Sequence, residues 1–490
     1  MKKVFQTENA MTLKELIDGI ETVEVTGDIS GEITGIVYDS RRAEPGSLFV
    51  ALHGEKADGA AYIEDAIQRG AAAVISQTPC ASGGNFPCVQ VADARQALAR
   101  LAGIFYNHPA SRLCTVGITG TNGKTTVSFM LREIFKAAGR RPGLLGTVRY
   151  EIGDRVIPAS RTTPESADLQ SMFAKMERAG CDSAVMEVSS HALAQHRVEG
   201  ILYDAAIFTN LTQDHLDYHG TLEEYYKVKS RLFNQVSRFA VINIDDPWGR
   251  RLFGEKKFLA GLVSYGFQEG AQVRGLNPAT DTKGSRMHVQ SPWGHAEVTL
   301  QLIGRFNLYN ALAAFAAAAA LGIPVEIIVK ALAGMQCVPG RLEAVQNTKG
   351  KRVFVDYAHT DDALLNVLET LREITPGRLV AVFGCGGNRD KGKRPLMGKV
   401  AARLADYSII TNDNPRNEVP EKIAADIAGG FDSERKYEIV LDRKAAIARG
   451  LELTGKKDVL LVAGKGHETY QEFNGAIFPF DDRDAVREAL

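Results

Sequence analysis

The run "GITGTNGKTT", Gly117 to Thr126, closes a glycine-rich turn with Gly123, Lys124 and Thr125. Those residue types suit a polyphosphate. Backbone N–H groups of Gly120, Thr121, Asn122 and Gly123 can face the anion, Lys124 can neutralise its outer charge, and the hydroxyls of Thr125 and Thr126 lie next to it. The position five before Gly123 is Ile118 rather than glycine, so this is not a strict phosphate-loop signature. A glycine turn that merely caps a helix is the structural alternative. The buried-strand pattern "LCTVGITG" before it and the helical "VSFMLREIFKAAG" after it supply the context in which phosphate binding has meaning.

In "MEVSSHALAQHRV", Glu187 ends a strand-like run, and Ser189, His191, Gln195 and Arg197 follow. Serine beside histidine invites a hydrolase reading, but no G-x-S-x-G elbow accompanies it. A carboxylate at a strand end is as often a helix cap. Beside a phosphate loop it reads better as a magnesium anchor, since that ion takes few protein ligands and completes its shell with water and phosphate. "TQDHLDYHG" spaces His215 and His219 at i, i+4, a zinc-like interval lacking H-E-x-x-H and any nearby cysteine. Spacing alone puts Lys227, Lys229 and Arg231 of "TLEEYYKVKSRLF" on a solvated helix face. "TNDNPRNE" is a turn in which Arg416 is either solvated or aimed at a carboxylate.

These residues need a large scaffold. The 490-residue length predicts about three domains at roughly 100 to 200 residues each. With 58 Lys plus Arg against 59 Asp plus Glu, no net field argues for nucleic acid or an anionic membrane, so any anion is held by local loops. The cysteines at 80, 88, 114, 181, 337 and 385 have no metal-finger spacing and read as reduced thiols. "MKKVFQTENAMTLKEL" lacks the apolar stretch of a signal peptide, and "ALAAFAAAAALGI" is too short and alanine-rich to span a bilayer. The expectation is a cytoplasmic protein without membrane insertion, the alanine run forming a packed core helix.

Alternating strand and helix patterns to about residue 110 predict a small α/β domain, ending near "NHPASRL". The runs "SAVMEVSS", "YDAAIFTNLT" and "RFAVINIDD" fit a parallel sheet with its loops at one edge. A second boundary falls near "QCVPGRLE", giving segments 1–110, 111–338 and 339–490. In the last segment, strand-like runs break into "DYAHT", "GNRDKGKRP", "DNPRNE" and "GKGHE", so Arg389, Arg416, Lys465 and Glu468 are expected to converge at the carboxyl ends of a doubly wound sheet.

In order, "GITGTNGKTT", "TTP", "MEVSSHAL", "TNLTQDHLDYHGT", "YYKVKSRLF", "GRFNLYN", "GRLE", "DYAHT", "GNRDKGKRP", "DNPR" and "GKGHE" resemble the motifs of the Mur ligases over nearly the whole chain. The resemblance implies an α/β protein of three domains: one binding a UDP-sugar, a central P-loop ATPase-like parallel sheet, and a C-terminal Rossmann-like domain binding the incoming amino acid. It implies an ATP- and Mg2+-dependent amide ligase of peptidoglycan precursor synthesis; a monomer is the expectation. Its small-molecule substrates would be ATP, UDP-MurNAc-L-Ala-D-Glu and meso-diaminopimelate, joined through an acyl phosphate at the D-glutamyl side chain.

By the same resemblance, Lys124, Glu187, His215 and Lys229 are catalytic, and Thr125, Glu187, His215 and a carbamylated Lys229 hold the metal. That reverses the solvated-face reading of Lys229. Residues Gly120 to Thr126, Asn307, Asn310, Arg341, Asp356 and His359 would bind ATP. Ser40, Glu55, Lys56, Ala57, Thr162, Thr163, Ser189, Gln195 and Arg197 would bind the UDP-sugar peptide. Arg389, Asp413, Asn414, Pro415, Arg416, Gly464 and Glu468 would bind diaminopimelate. Asp361 stands where relatives carry proline, which predicts a looser loop after His359.

A counterpart adding L-lysine is the main alternative. Lysine offers only an ammonium at its far end, and two like charges about 4 Å apart repel by ~4 kcal/mol at an effective dielectric near 20, so an arginine there disfavours it. Folylpoly-γ-glutamate synthase shares the phosphate loop but not "DNPR", and a non-catalytic scaffold has no use for the metal-ligand set.

Overall fold

The computed structural model describes residues 10–54, 57–79, 86–255, 261–432 and 437–490. Two compact units result: residues 1–117, 140–205 and 231–238 form the first, and 118–139, 206–230 and 239–490 the second.

The first unit opens with a five-stranded sheet in the order Glu24–Thr26, Cys88–Gln90, Ala73–Ser76, Ser47–Val50, Gly35–Val37. Its pairs are parallel except the first. Period-2 alternation divides the strand Ser47–Val50: Leu48 and Val50 enter one apolar cluster with the helix Ala94–Phe105, and Phe49 enters another with Ala66. Asp93 starts that helix by accepting from the N–H groups of Arg95 and Gln96. A second set in this unit orders Arg155–Pro158, Arg149–Ile152, Pro142–Leu145 and Ser183–Glu187, with the helix Ser166–Arg178 leading to the last strand. Cys88 is disulfide-bonded while Cys114, Cys181, Cys337 and Cys385 are free, which corrects the expectation of thiols throughout.

In the second unit the helix Lys124–Ala137 follows the glycine loop. Strands Gly261–Gly266, Val273–Asp281, Gly284–Ser291 and Gly294–Leu300 pair in sequence, the last two joins antiparallel. The alanine-rich helix Arg305–Ala320 is apolar on every face and buried from Ala311 onward, as expected of a core helix, its first turns carrying Arg305, Asn307 and Asn310. Residues from 343 on build a six-stranded sheet: Glu343–Ala344, Arg352–Asp356, Val459–Ala463, Leu379–Phe383, Tyr407–Ile410, Tyr437–Ile439. All its pairs after the first are parallel. Helices Asp361–Ile374, Lys393–Leu404 and Pro420–Ala428 pack on one face, and Arg443–Leu453 and Asp482–Ala489 on the other. This doubly wound arrangement sends "DYAHT", "CGGNRD", "DNPR" and "GKGHE" out from the carboxyl ends of four parallel strands.

At Asp361 the chain after His359 passes directly into a helix. Thr360 caps the helix Asp361–Ile374 by accepting from the Ala363 N–H, and Asp361 takes the first helical position, where a carboxylate favours the positive helix end as well as proline would favour its geometry.

Candidate active site

Two glycines let the phosphate loop close on its neighbours. A Cβ at Gly120, φ +144°, would lie 1.9 Å from Thr209 Oγ1, and one at Gly123, φ +88°, would lie 2.4 Å from Asn310 Oδ1. The loop is thus seated against Thr209 and Asn310, and only glycine fits. The Thr121 hydroxyl donates to the Thr212 carbonyl at 3.2 Å, and the Asn122 N–H to Asn210 Oδ1 at 2.9 Å. Asn310 donates to Asn307 Oδ1, and Asn307 to the Ile303 carbonyl, so the two predicted asparagines form one buried chain beside the loop.

Lys124 Nζ donates to the carbonyls of Gly120 and Thr121 at 2.9 and 2.8 Å. Lys229 Nζ reaches the same Gly120 carbonyl at 2.8 Å and lies 4.5 Å from the Tyr225 ring centre. Lys227 on the same helix is exposed, but Lys229 is only 1% exposed. The solvated-face reading therefore fails at Lys229. Burial, with Lys124 nearby, pushes its amine well below the usual lysine range, and Asp214 opposes this only in part.

His215 sits in the left-handed region at φ +54°, with Nε2 3.3 Å from Asp214 Oδ2. Its neighbour His219 stacks on Tyr225 at 4.9 Å. Burial works against charge on Asp214, yet His215, His359, Lys393 and Lys124 together hold its carboxyl below the ordinary range. Asp214 was missed in the sequence because nothing in its spacing separates it from the other polar residues of that loop.

Arg341 Nη2 donates to Thr125 Oγ1 at 3.0 Å, and its guanidinium covers Tyr357 at 4.6 Å. Asp356 accepts from the N–H groups of Leu342 and Ala358 at 2.5 and 2.7 Å, and burial raises its carboxyl despite Arg341. His359 donates through Nδ1 to the Tyr357 carbonyl at 2.8 Å. Burial and Lys393 push its pKa down to about 4, leaving a neutral ring with Nε2 as acceptor. Asp362, not singled out from sequence, accepts from Asn122 Nδ2 at 2.6 Å and from the Thr212 hydroxyl at 3.1 Å.

At the Rossmann-like sheet, Asn414 donates to Glu468 Oε2 at 2.9 Å, and Lys465, fully buried, donates to Asn414 Oδ1 and Glu468 Oε2 at 3.1 and 3.0 Å. Burial raises the Glu468 carboxyl although Lys465 opposes it. A Cβ at Gly464 would lie 2.5 Å from Asp413 Oδ2, so these two predicted residues touch. Gly387 packs against the Pro415 carbonyl, and a Cβ at Gly386 would meet Arg416 Nη1 at 3.0 Å and Arg389 Cγ at 3.9 Å. Arg389 and Arg416 thus border Gly386, while Lys465 and Glu468 meet at Asn414. Arg416 is not free in solvent: it lies beside Glu472, a partner the sequence did not suggest.

In the first unit, Glu187 is fully buried and accepts from the Thr147 N–H and hydroxyl, both at 2.9 Å. Thr162 Oγ1 lies 3.0 Å from Thr147 Oγ1, and Thr163 donates to the Glu187 carbonyl at 2.8 Å. Ser189 caps the short helix Ser190–Ala194 and donates its N–H to Thr163 Oγ1. Arg197 donates to the Thr163 carbonyl and to Gln195 Oε1. Five of the predicted UDP-sugar residues thus form one connected group with Glu187. Ser40 is buried in a turn capped by Asp39, and Ala57 is exposed in another loop. Glu55 and Lys56 lie outside the described residues.

Three family models match in succession: "Mur ligase family, catalytic domain" over residues 32–106, "Mur ligase middle domain" over 118–318, and "Mur ligase, glutamate ligase domain" over 340–466. The chain belongs to the Mur ligase family. Relatives of this Mur ligase include a UDP-N-acetylmuramoyl-L-alanyl-D-glutamate--2,6-diaminopimelate ligase of Caldanaerobacter subterraneus subsp. tengcongensis, 45% identical over 98% of this chain and 99% of the relative. One of the same name from Clostridioides difficile is 41% identical over 98% and 99%. A solved structure with that name superposes with TM-score 0.68 at 34% identity, covering 98% of both chains. The MurF ligase of Thermotoga maritima in complex with ADP shares the fold, with TM-score 0.64 at 22% identity over 88% of this chain and 93% of that one. The α/β, three-domain architecture is that of the family. No helix among the described residues is long and apolar enough to cross a membrane.

Proposed function

We propose that this Mur ligase uses ATP to join meso-diaminopimelate to the D-glutamyl side-chain carboxylate of UDP-MurNAc-L-Ala-D-Glu. Residues 1–110 would hold the nucleotide sugar, 111–338 ATP, and 339–490 the amino acid. The observation that carries the reading is the junction at the Gly120 carbonyl, where Lys124 and the buried Lys229 meet inside a phosphate loop. A buried amine so placed has no packing role that an apolar side chain would not fill better. Near-full-length likeness to relatives of that name supports the choice of substrates.

A carboxylate is a poor acyl donor until one oxygen becomes a leaving group. The D-glutamyl carboxylate oxygen attacks the γ-phosphorus, ADP leaves, and an acyl phosphate forms. The amine then attacks the acyl carbon, phosphate departs, and the nitrogen loses a proton. The protein's part is positioning and charge neutralisation. Lys124 would turn from its loop carbonyls to the phosphates, whereas the Thr121 and Asn122 N–H groups, expected to face the anion, are given to Asn210.

Lys229 as a free amine is no magnesium ligand, and among the described residues no three His, Cys, Asp or Glu side chains converge on a metal position. The donor types would suit Mg2+, a hard ion that takes oxygen ligands, once Lys229 has oxygens. Burial and Lys124 favour the uncharged amine, the form whose lone pair adds to the carbon of CO2, releasing one proton and leaving a carbamate. That carbamate, the Thr125 hydroxyl, His215 and Glu187 would be the protein ligands. A bound magnesium supplies neutralisation of developing phosphate charge. Incubating the protein with ATP, Mg2+, UDP-MurNAc-L-Ala-D-Glu and meso-diaminopimelate should give one ADP per amide formed. ADP release that does not depend on the nucleotide-sugar peptide would contradict the reading.

A further inference from the structure

Glu165 follows the Thr162–Thr163–Pro164 segment and is 6% exposed. Three arginines surround it: Arg161 Nη1 at 2.5 Å, Arg197 Nε at 2.9 Å and Arg95 Nη1 at 3.9 Å. The next acid along, Asp168, is already engaged by Arg42 and the Tyr38 hydroxyl. Among the described residues, one carboxylate therefore faces three guanidiniums, a formal excess of two positive charges in a partly enclosed place.

The donors are not all used. Arg197, 10% exposed, directs its Nη atoms to Thr163 and Gln195, while its buried Nε lies 2.9 Å from Glu165 Oε1 as an ion pair that is not aligned as a hydrogen bond. Arg95 gives Nη2 to the His53 carbonyl at 3.2 Å, and its buried Nη1 likewise lacks a hydrogen bond. Arg161, half exposed, gives Nη1 to Glu165, and its guanidinium makes, among the described residues, no other hydrogen bond. Enclosed like charges with unspent donors repel one another, and burial together with Arg161 and Arg95 lowers the pKa of Arg197. A second anion would relieve both problems. The cluster adjoins Thr162, Thr163, Ser189, Gln195 and Arg197, the group read as the UDP-sugar peptide site.

We propose that Arg95 and Arg161, oriented by Glu165, form an anion subsite that takes an acidic group of the nucleotide-sugar peptide. The inference rests on the function proposed above and adds two residues to its substrate site. The shared chemistry is a planar or tetrahedral oxyanion accepting from an arginine fork. Two groups of the substrate have it, the diphosphate and the D-glutamyl α-carboxylate.

Calorimetric titration of the full-length protein with UDP-MurNAc-L-Ala-D-Glu tests this without turnover. Arg161→Ala and Arg95→Ala should each weaken Kd by at least 10-fold, Arg161→Lys by less, and Kd for ATP should stay within 2-fold. Repeating the series with an α-carboxamide substrate, and with MurNAc-L-Ala-D-Glu lacking uridine diphosphate, identifies the anion. The arginine effect should vanish with whichever ligand has lost the group concerned. Tight binding by the wild type with unchanged Kd in both alanine variants overturns the subsite and leaves the ligase reading standing. An effect that persists with both altered ligands also overturns it. No binding by the wild type overturns both.

Discussion

Arg416 Nε lies 3.2 Å from Glu472 Oε2, while Arg416 Nη1 donates to the Gly387 carbonyl at 2.8 Å. The arginine holds a left-handed backbone at φ +53°, fastened by its N–H to the Glu472 carbonyl and by the Asn474 N–H to its own carbonyl. Such a backbone is uncommon outside glycine and persists only where surrounding bonds fix it. The fork is thus pre-positioned beside one carboxylate, with donors left for another. Arg416→Ala or Arg416→Lys should raise KM for diaminopimelate by about 1–3 kcal/mol, roughly 5- to 150-fold, with KM for ATP unchanged. Steady-state kinetics varying each substrate checks this, and an unchanged diaminopimelate KM would return Arg416 to a structural role.

Lys229→Ala should abolish ligation, since the variant has no amine to carry the carbamate oxygens. A short-chain carboxylate added at millimolar concentration should restore part of the activity. Full activity without rescue would exclude the carbamate.

The pH dependence of stability follows from His359. Its ring titrates near 4 when folded against about 6.5 when free, so the unfolded chain takes up the proton first as pH falls. Its contribution is full above pH 6.5 and is lost between about 6.5 and 4, at most roughly 3 kcal/mol. Urea unfolding at pH 7 and 5 should show the drop, and His359→Gln should flatten it. Glu418 acts lower: the Arg394 fork holds its carboxyl near about 2, so its contribution is lost only below about pH 4.5.

Arg443 and Asp482 form an ion pair with neither side chain exposed, at 2.7 and 2.8 Å, and Arg443 also donates to the carbonyls of Asn412 and Ala463. Asp482→Ala leaves a buried guanidinium uncompensated and should destabilise the protein by about 3–5 kcal/mol in denaturant unfolding. A loss below 1 kcal/mol would mean that water reaches the site.

The phosphate loop, the buried alanine helix and the four loops at the Rossmann-like sheet were legible because each is a local pattern of glycine, charge and strand period. The partners were not. Glu165, Asp214, Asp362 and Glu472 are ordinary acids in sequence, and their meaning comes from arginines, asparagines and histidines that the fold brings beside them. Lys229 shows the limit most clearly: its helix reads as amphipathic and cationic, and only packing against Tyr225 and the Gly120 carbonyl separates it from solvated Lys227.

The most direct measurement is a competition ligation. The protein is given ATP, Mg2+, UDP-MurNAc-L-Ala-D-Glu and equal concentrations of meso-diaminopimelate and L-lysine, and the products are resolved by mass. The account predicts that the diaminopimelate adduct predominates and that Arg416→Ala reduces this preference. Predominance of the lysine adduct in the wild type would contradict it.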